Sequence, residues 1–283
     1  MIPDKHSHRG VLFMLLAVSC FAVVNGIAKW LDHIPVHELV FFRSLVSLAY
    51  CLWFVRKHKL DPRGNNRKWL ILRGLFGLVA LMLFFSTIKH MPLATATVIQ
   101  YLSPLFTIYL ASKWNNQSVR PIQYLYFLLA FCGIILIRGW DGQIDTFWLI
   151  AGVLSSFFAG LAYNAIIKAK GTDHPMIIVM YFPLVALPIT GIWCMAEWVT
   201  PVGWDWFGLL IMGAMTQVAQ YATTMALHSD DASKVTPWNY FGAIFALLIG
   251  FVFFGEIPLP VSILGMGLIV TGVLLNARVK KLS

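Results

Sequence analysis

One stretch of this 283-residue chain occurs twice, and the duplication constrains the fold more than any other feature. Residues 91–116 read MPLATATVIQYLSPLFTIYLASKWNN, and residues 230–255 read DDASKVTPWNYFGAIFALLIGFVFFG. Each copy passes a Tyr flanked by amide or aromatic residues and then continues as an apolar run. Because matching Asn, Lys, Tyr and Pro are uncommon in so apolar a chain, the repeat predicts two related halves. One shift aligns the whole chain without a gap, pairing Asn25 with Asn164, Lys29 with Lys168, Pro62 with Pro201, Gly74 with Gly213, Tyr101 with Tyr240 and Gly133 with Gly272.

The composition places this chain in a membrane. Hydrophobic residues make up 59% of the chain, only 12% of the residues are charged, and the mean hydropathy is +0.76. A membrane-spanning helix needs about 20 mainly apolar residues. The sequence therefore predicts an all-α integral membrane protein with ten transmembrane helices. The predicted spans are 10–30, 36–55, 69–88, 92–112, 121–138, 147–167, 175–196, 206–227, 234–254 and 259–277.

The repeat divides these spans into two sets of five. We expect a first repeat over residues 1–139 and a second over residues 140–283. Because five is odd, the second repeat must cross the membrane in the opposite sense. Such inverted five-helix repeats give many secondary transporters their two mirror-related conformations around a site at the membrane midplane. The alternative is a duplicated scaffold that transports nothing.

The net charge of +9 orients the chain and does not indicate nucleic-acid binding. If the N-terminus is cytoplasmic, nearly all basic residues of the connecting segments lie on the inner side, and only Lys29, Lys89 and Arg138 lie outside. This is the positive-inside pattern. We therefore expect a multi-pass protein of the cell inner (plasma) membrane with both termini in the cytoplasm, present as a monomer or homodimer.

Several motifs resemble a known family. Residues 37–44 read HELVFFRS, 73–77 RGLFG and 92–106 PLATATVIQYLSPLF; in the second half, 231–237 read DASKVTP, 240–256 YFGAIFALLIGFVFFGE and 265–272 GMGLIVTG. This set resembles the ten-helix EamA type of the drug/metabolite transporter superfamily, which implies a metabolite carrier. The NxxxK motif at Asn25–Lys29 is similar to that of bacterial S-adenosylmethionine uptake carriers, whereas Asn116-Gln117 replace the Gly-Glu pair of the family.

Polar residues far from the ends of the spans are candidates for binding substrate, because they are costly in hydrocarbon. Arg43 lies about 10 Å into the second span at 1.5 Å per residue. It could attract a carboxylate or phosphate, or it could pair with Glu38 or snorkel. Asn25 and Asn164 occupy equivalent positions in the two repeats. Their amides could bind substrate or bridge helices through hydrogen bonds.

The fourth, eighth and ninth spans carry further candidates. Aromatic rings beside amides can stack on a planar ligand or surround a cation, although packing between helices is the alternative for each residue. Gln217 and Gln220 share one helical face, and Tyr181 could complete the wall. The predicted substrate-binding set is Asn25, Arg43, Gln100, Tyr101, Asn164, Tyr181, Gln217, Gln220, Trp238, Asn239 and Tyr240.

These observations favour a secondary transporter of a small polar metabolite that works by alternating access. S-adenosylmethionine, an organic anion or an amino acid are the candidate cargoes. No carboxylate is expected at the midplane, where proton coupling would need a titratable group, so we expect facilitated diffusion or exchange. A membrane enzyme acting on lipid head groups is a second hypothesis, but no metal-ligand spacing supports it. No P-loop occurs either, which argues against ATP-driven pumping by this chain. We therefore expect no catalytic residues, metal or cofactor, and the lipid bilayer and the substrate as partners.

Overall fold

The computed structural model describes residues 7–115, 121–138, 145–229, 238–239 and 241–278. The long regular elements over these residues are α-helices, and no strand occurs among them. We number the helices in chain order. They are α1 Ser7–Trp30, α2 Val36–Lys57, α3 Arg67–His90, α4 Leu93–Gln100, α5 Ser103–Asn115, α6 Pro121–Arg138, α7 Thr146–Ala169, α8 Pro175–Ala196, α9 Asp205–Ser229, α10 Phe241–Phe254 and α11 Pro260–Arg278.

The predicted all-α membrane fold is confirmed. Five helices in the described part are long and apolar enough to cross a bilayer: Arg9–Trp30, Val36–Lys57, Arg67–His90, Thr146–Ala169 and Pro175–Ala196. Three shorter apolar helices cover Pro121–Leu136, Phe241–Phe254 and Pro260–Leu275. The protein is therefore a multi-pass membrane protein. The exact number of ten spans and the boundary between residues 139 and 140 stay predictions.

The predicted fourth span is two helices rather than one. The α4 helix ends at Gln100, Tyr101 and Leu102 form a turn, and α5 begins at Ser103. Proline explains the interruption, because the ring of Pro104 has no N–H and would clash with the carbonyl group four residues earlier, that of Gln100. The helix is therefore interrupted within residues 91–116, the stretch that occurs twice in the sequence.

The two repeats pack against each other through pairs of contacts that the repeat symmetry relates. A Cβ atom added to Gly213 of α9 would lie 2.6 Å from Cβ of Val46 in α2. The same atom added to Gly74 of α3 would lie 2.8 Å from Cβ of Val185 in α8. Val46 and Val185 are related by the same shift as the two glycines. Each repeat therefore uses the same pair of positions to contact the other, as expected around a two-fold axis.

The last helices of the two repeats also contact each other at equivalent positions. A Cβ atom on Gly133 of α6 would lie 2.5 Å from the carbonyl oxygen of Gly265 in α11, and one on Gly272 would lie 2.8 Å from that of Tyr126. The helix pairs with the most extensive contacts show the same symmetry. Helix α1 packs on α9 and α3 packs on α7, and the repeat relates α1 to α7 and α3 to α9. The repeat found in the sequence is therefore a repeat in the packing.

Candidate functional site

Two buried arginines converge on one aromatic ring inside the bundle. Arg43 of α2 is 2% exposed and Arg73 of α3 is 5% exposed. The guanidinium carbon of Arg43 lies 5.5 Å from the centroid of the Phe182 ring in α8, and that of Arg73 lies 5.2 Å from it. Arg43 also lies 5.5 Å from the centroid of the Phe85 ring. We call Arg43 and Arg73 the arginine pair.

The arginine pair has no acidic partner among the described residues. Arg73 Nη2 donates a hydrogen bond to Gln220 Oε1 at 3.2 Å, whereas Arg43 has no hydrogen bond or ion pair to any described residue. The Nε atoms of both arginines are buried without a partner in the described part of the chain. The alternative that Arg43 pairs with Glu38 is not observed, because Glu38 Oε2 accepts the Val199 N–H at 3.0 Å.

Glu38 lies near the end of its span and is nevertheless buried. Its side chain is completely buried in the first turn of α2, and its Oε1 atom has no partner among the described residues. It is nevertheless at the end of a helix and not at mid-depth. The expectation of no carboxylate at the midplane therefore stays a prediction for the described residues.

Gly77 and Tyr163 lie beside Arg73. Tyr163 of α7 is 36% exposed. A Cβ atom on Gly77 would lie 3.0 Å from Arg73 Nη1 and 3.0 Å from the Phe182 ring. The absence of a side chain at Gly77 therefore leaves room for the Arg73 head group beside the ring.

The exposed face of α7 changes along the helix. Its first half exposes Phe147, Ile150 and Leu154, and its second half exposes Tyr163 and Ile167. Positions 154 and 163 are about two and a half turns apart at 3.6 residues per turn, which puts them on opposite faces. Tyr163 and Ile167 therefore have accessible surface on the side of α7 opposite to Leu154.

Two predicted site residues, Asn164 and Gln100, contact other helices instead of the arginine pair. Asn164, 2% exposed, donates through Nδ2 to the Thr107 carbonyl oxygen at 3.0 Å and to that of Gly160 at 2.9 Å. Gln100 Oε1 accepts from Ser155 Oγ at 2.8 Å. These contacts connect α7 with α5 and with α4.

Gln217 and Tyr181 also have partners elsewhere. Gln217 Oε1 accepts from Ser47 Oγ at 2.5 Å, which connects α9 with α2. The Tyr181 hydroxyl donates to the Arg63 carbonyl oxygen at 2.6 Å, in the segment between α2 and α3. Tyr181 therefore has its hydrogen bond away from the arginine pair. Gln220, on the same helix as Gln217, bonds to Arg73.

The remaining predicted residues lie in the first, fourth and ninth spans. Asn25 is half-buried and has no hydrogen bond to a described residue. The Tyr101 hydroxyl lies against Gly242, so the two copies of the repeated stretch face each other. Trp238 stacks on Phe241 with ring centroids 5.5 Å apart and packs on the apolar cluster of α1 and α9. Asn239 is half-buried, and Tyr240 lies outside the described residues.

Two residues of this site were not predicted. Arg73 was noted only as part of a motif, and Phe182 was not singled out. The signal that identified Arg43 was available for Arg73, because it is a charged residue several positions inside an apolar span. Phe182 carries no such signal, since apolar rings are expected throughout a membrane helix.

An ion pair joins the two repeats at one end of the bundle. Lys29, at the end of α1, pairs with Glu256, which follows α10. Lys29 Nζ also donates to the Met91 carbonyl oxygen at 2.8 Å, and Glu256 Oε2 accepts the Leu93 N–H at 2.8 Å. The pair therefore joins α1, the start of α4 and the end of α10.

Comparison with known proteins agrees with this architecture. The profile of the EamA-like transporter family matches the chain twice, over residues 8–139 and 146–278. The pseudopaline exporter CntI of Pseudomonas aeruginosa (strain UCBPP-PA14) is 28% identical over 279 residues, covering 96% of this chain and 97% of its own. A riboflavin transporter of Vibrio cholerae is 24% identical over 282 residues, covering 96% of this chain and 94% of its own.

Similarity also extends to a human protein and to a solved structure. Solute carrier family 35 member G1 of Homo sapiens is 26% identical over 272 residues, covering 88% of this chain and 73% of its own. One crystal structure superposes with a TM-score of 0.66 at 18% identity, covering 93% of this chain and 94% of the other, which supports the fold alone. These similarities indicate a membrane transporter and not an enzyme. The chain belongs to the EamA-like transporter family, which the profile matches once in each half.

Proposed function

We propose that this protein is a secondary transporter that carries a small polar metabolite across the inner (plasma) membrane by alternating access. The observation that carries the proposal is the exchanged packing of Gly74 on Val185 and Gly213 on Val46. Because each half uses the same positions to contact the other, the two halves can exchange conformations without new types of contact. That property is the basis of alternating access in transporters with inverted repeats.

The two ends of the bundle differ in a way that supports this mechanism. The pair of Lys29 and Glu256 joins the two repeats at one end. The position that corresponds to Glu256 in the first repeat is Gln117, which lies outside the described residues and has no carboxylate. With both termini in the cytoplasm, the ion pair lies on the outer side, and Tyr163 lies in the half of α7 nearer the inner side.

The cargo is a small polar metabolite of the organic-anion or amino-acid type, with S-adenosylmethionine as the alternative that the NxxxK motif suggests. Two relatives are named as an exporter of pseudopaline and a transporter of riboflavin, which supports a small-molecule cargo. The absence of a carboxylate at mid-depth among the described residues favours facilitated diffusion or exchange over proton coupling.

Transport by purified protein in proteoliposomes tests the proposal. Vesicles preloaded with unlabelled solute should accumulate the labelled solute by counterflow for at least one of glutamate, succinate and S-adenosylmethionine. Empty vesicles are the control. The substitutions Trp238→Ala and Asn239→Ala should reduce the rate if the ninth span contributes to the site. Counterflow of no solute in a metabolite panel, with protein that is folded and correctly inserted, would contradict a transport function.

A further inference from the structure

We propose that Arg43 and Arg73 together form the binding site for an oxyanion group, a carboxylate or phosphate, on the cargo. This inference rests on the proposed transport function and specifies the charge of its substrate. The arginine pair approaches the Phe182 ring from two helices, within 5.5 Å and 5.2 Å of its centroid. Arg73 and Phe182 are not among the residues that the sequence motifs single out for binding.

The cost of burying two cations supports the proposal. Placing an ion in a low-dielectric interior costs several kcal/mol even after relaxation, and two like charges near one ring also repel each other. Contacts with the Phe85 and Phe182 rings recover only about 0.5–2 kcal/mol each. No carboxylate of the described residues neutralises either guanidinium. An anion from the cargo supplies the missing charge.

The depth of the arginine pair suits a site that both sides of the membrane can reach. Arg43 lies in the half of α2 nearer Val36, and Arg73 lies in the half of α3 nearer Arg67. Because α2 and α3 follow each other along the chain and cross in opposite senses, the two side chains come from opposite sides of the midplane. Both guanidinium groups lie within 5.5 Å of the centroid of the Phe182 ring.

The two arginines are held differently. Gln220 Oε1 accepts a hydrogen bond from Arg73 Nη2, which orients that guanidinium. Arg43 is held only by the two rings and has no hydrogen bond to a described residue. A guanidinium group can donate two parallel hydrogen bonds to one oxyanion. We therefore infer that Arg73 is positioned in advance and that Arg43 supplies donors to the bound anion.

The exposed side of Tyr163 provides the approach. Tyr163 lies near Arg73 and is 36% exposed. A solute entering along the exposed side of Tyr163 would meet Arg73 before it meets Arg43. A cargo with net positive charge, including S-adenosylmethionine, would be repelled by the pair unless its own carboxylate were placed there.

Binding to purified, detergent-solubilised full-length protein tests the inference. The probes are succinate, inorganic phosphate and S-adenosylmethionine, each followed by the shift in melting temperature, which rises when a ligand binds only the folded state. Succinate or phosphate should raise the melting temperature, and the response to each distinguishes a carboxylate from a phosphate cargo. Arg43→Gln and Arg73→Gln should each weaken the binding of that anion by about 10-fold or more, because the bound anion loses a charged partner.

Matched controls separate binding from folding. Arg56→Gln and Arg67→Gln remove exposed arginines from the same helices and should leave the anion response unchanged. Without anion, Arg43→Gln should melt at the same or a higher temperature than the wild type, because it removes a buried charge without a partner. A structural arginine would instead lower the melting temperature on substitution.

The inference is overturned if neither anion raises the melting temperature while S-adenosylmethionine does, or if Arg43→Gln and Arg73→Gln leave the anion response unchanged. It is also overturned if Arg43→Gln lowers the melting temperature without anion. These outcomes are distinguishable from failure of the proposed function, because counterflow of a neutral or cationic solute by the wild type would preserve the transport function without an anion site.

Discussion

Lys29 at the end of α1 forms an ion pair with Glu256, the second residue after α10, and this pair joins the two repeats at one end of the bundle. Both side chains are largely buried, 16% and 15% exposed. Each also bonds to the backbone at the start of α4, through Met91 and Leu93. The pair therefore holds three spans together at the end that we assign to the outer side.

We expect Glu256→Gln to destabilise this conformation. The substitution keeps the shape of the side chain but removes the charge that Lys29 contacts. Loss of charged hydrogen bonds of this kind costs about 1–2 kcal/mol, which lowers the melting temperature by roughly 2–8 °C for a chain of this size. Thermal unfolding in detergent measures the change.

The control for this prediction is Glu197→Gln, because Glu197 is an exposed carboxylate after α8. Its substitution should change the free energy of unfolding by less than about 0.5 kcal/mol. Lys29→Met combined with Glu256→Gln should cost less than the two single changes added together, since both remove the same interaction. Strict additivity would show that the two side chains do not stabilise each other.

The glycines at the contact between repeats should not tolerate alanine. A Cβ atom on Gly213 would lie 2.6 Å from Cβ of Val46, and we expect Gly213→Ala to destabilise by about 1–3 kcal/mol because of overpacking. Gly267 of α11 has nothing within 4 Å of its Cβ position. Gly267→Ala should therefore stabilise by up to about 1 kcal/mol through helix propensity. If Gly213→Ala and Gly267→Ala shifted the melting temperature in the same direction, the close packing of Gly213 on Val46 would be contradicted.

The two equivalent asparagines should separate into a structural and a transport residue. Asn164→Ala removes two hydrogen bonds to backbone carbonyl groups, each worth about 0.6 kcal/mol in a membrane, and should lower the melting temperature. Asn25→Ala removes no such bond and should leave the melting temperature unchanged while slowing counterflow in proteoliposomes. Equal effects of both substitutions on stability would show that the repeat symmetry extends to these bonds.

Acid should destabilise the start of α8 through His174. This residue caps the helix, because its Nδ1 accepts the Met176 N–H at 3.2 Å and must therefore be unprotonated. Burial lowers the pKa of His174, and the nearby His58 lowers the pKa further. The folded state thus binds a proton less readily than the unfolded state, whose histidine pKa is about 6.5. The stabilisation is complete above that pH and is lost as the pH falls below it.

Substitution by asparagine checks this prediction. Asparagine is a good N-cap and carries no charge, so His174→Asn should reduce the fall in melting temperature between pH 7 and pH 5. At pH 8 the two proteins should melt at similar temperatures, because the histidine is then neutral in both states. An unchanged slope with pH in the variant would assign the acid sensitivity to other groups.

Much of the fold could be predicted because it depends on patterns along the chain. The shift that aligns Asn25 with Asn164 also aligns Gly74 with Gly213, and the packing uses the same relationship. The interruption after Gln100 follows from a local property of Pro104. At this point the predicted span 92–112 is divided into α4 and α5.

The site was predicted less completely, because a polar residue in a membrane span has two possible uses that look alike in sequence. Arg43 and Asn164 both appeared as candidates. In the structure, Asn164 reaches the Thr107 carbonyl oxygen of α5, whereas Arg43 meets only the aromatic rings of Phe85 and Phe182. Arg73 gained significance only when it was found beside the same ring.

The sequence by itself determined the membrane environment, the duplication and the family, because apolar run length, repeated residues and motifs are properties of the chain order. Only the tertiary structure decided which buried polar groups have partners. Burying a polar group is costly unless a partner lies within hydrogen-bond distance, and that distance depends on how helices far apart in the chain pack. Arg43 and Arg73 are thirty positions apart in sequence, but they share one ring because α2, α3 and α8 pack together.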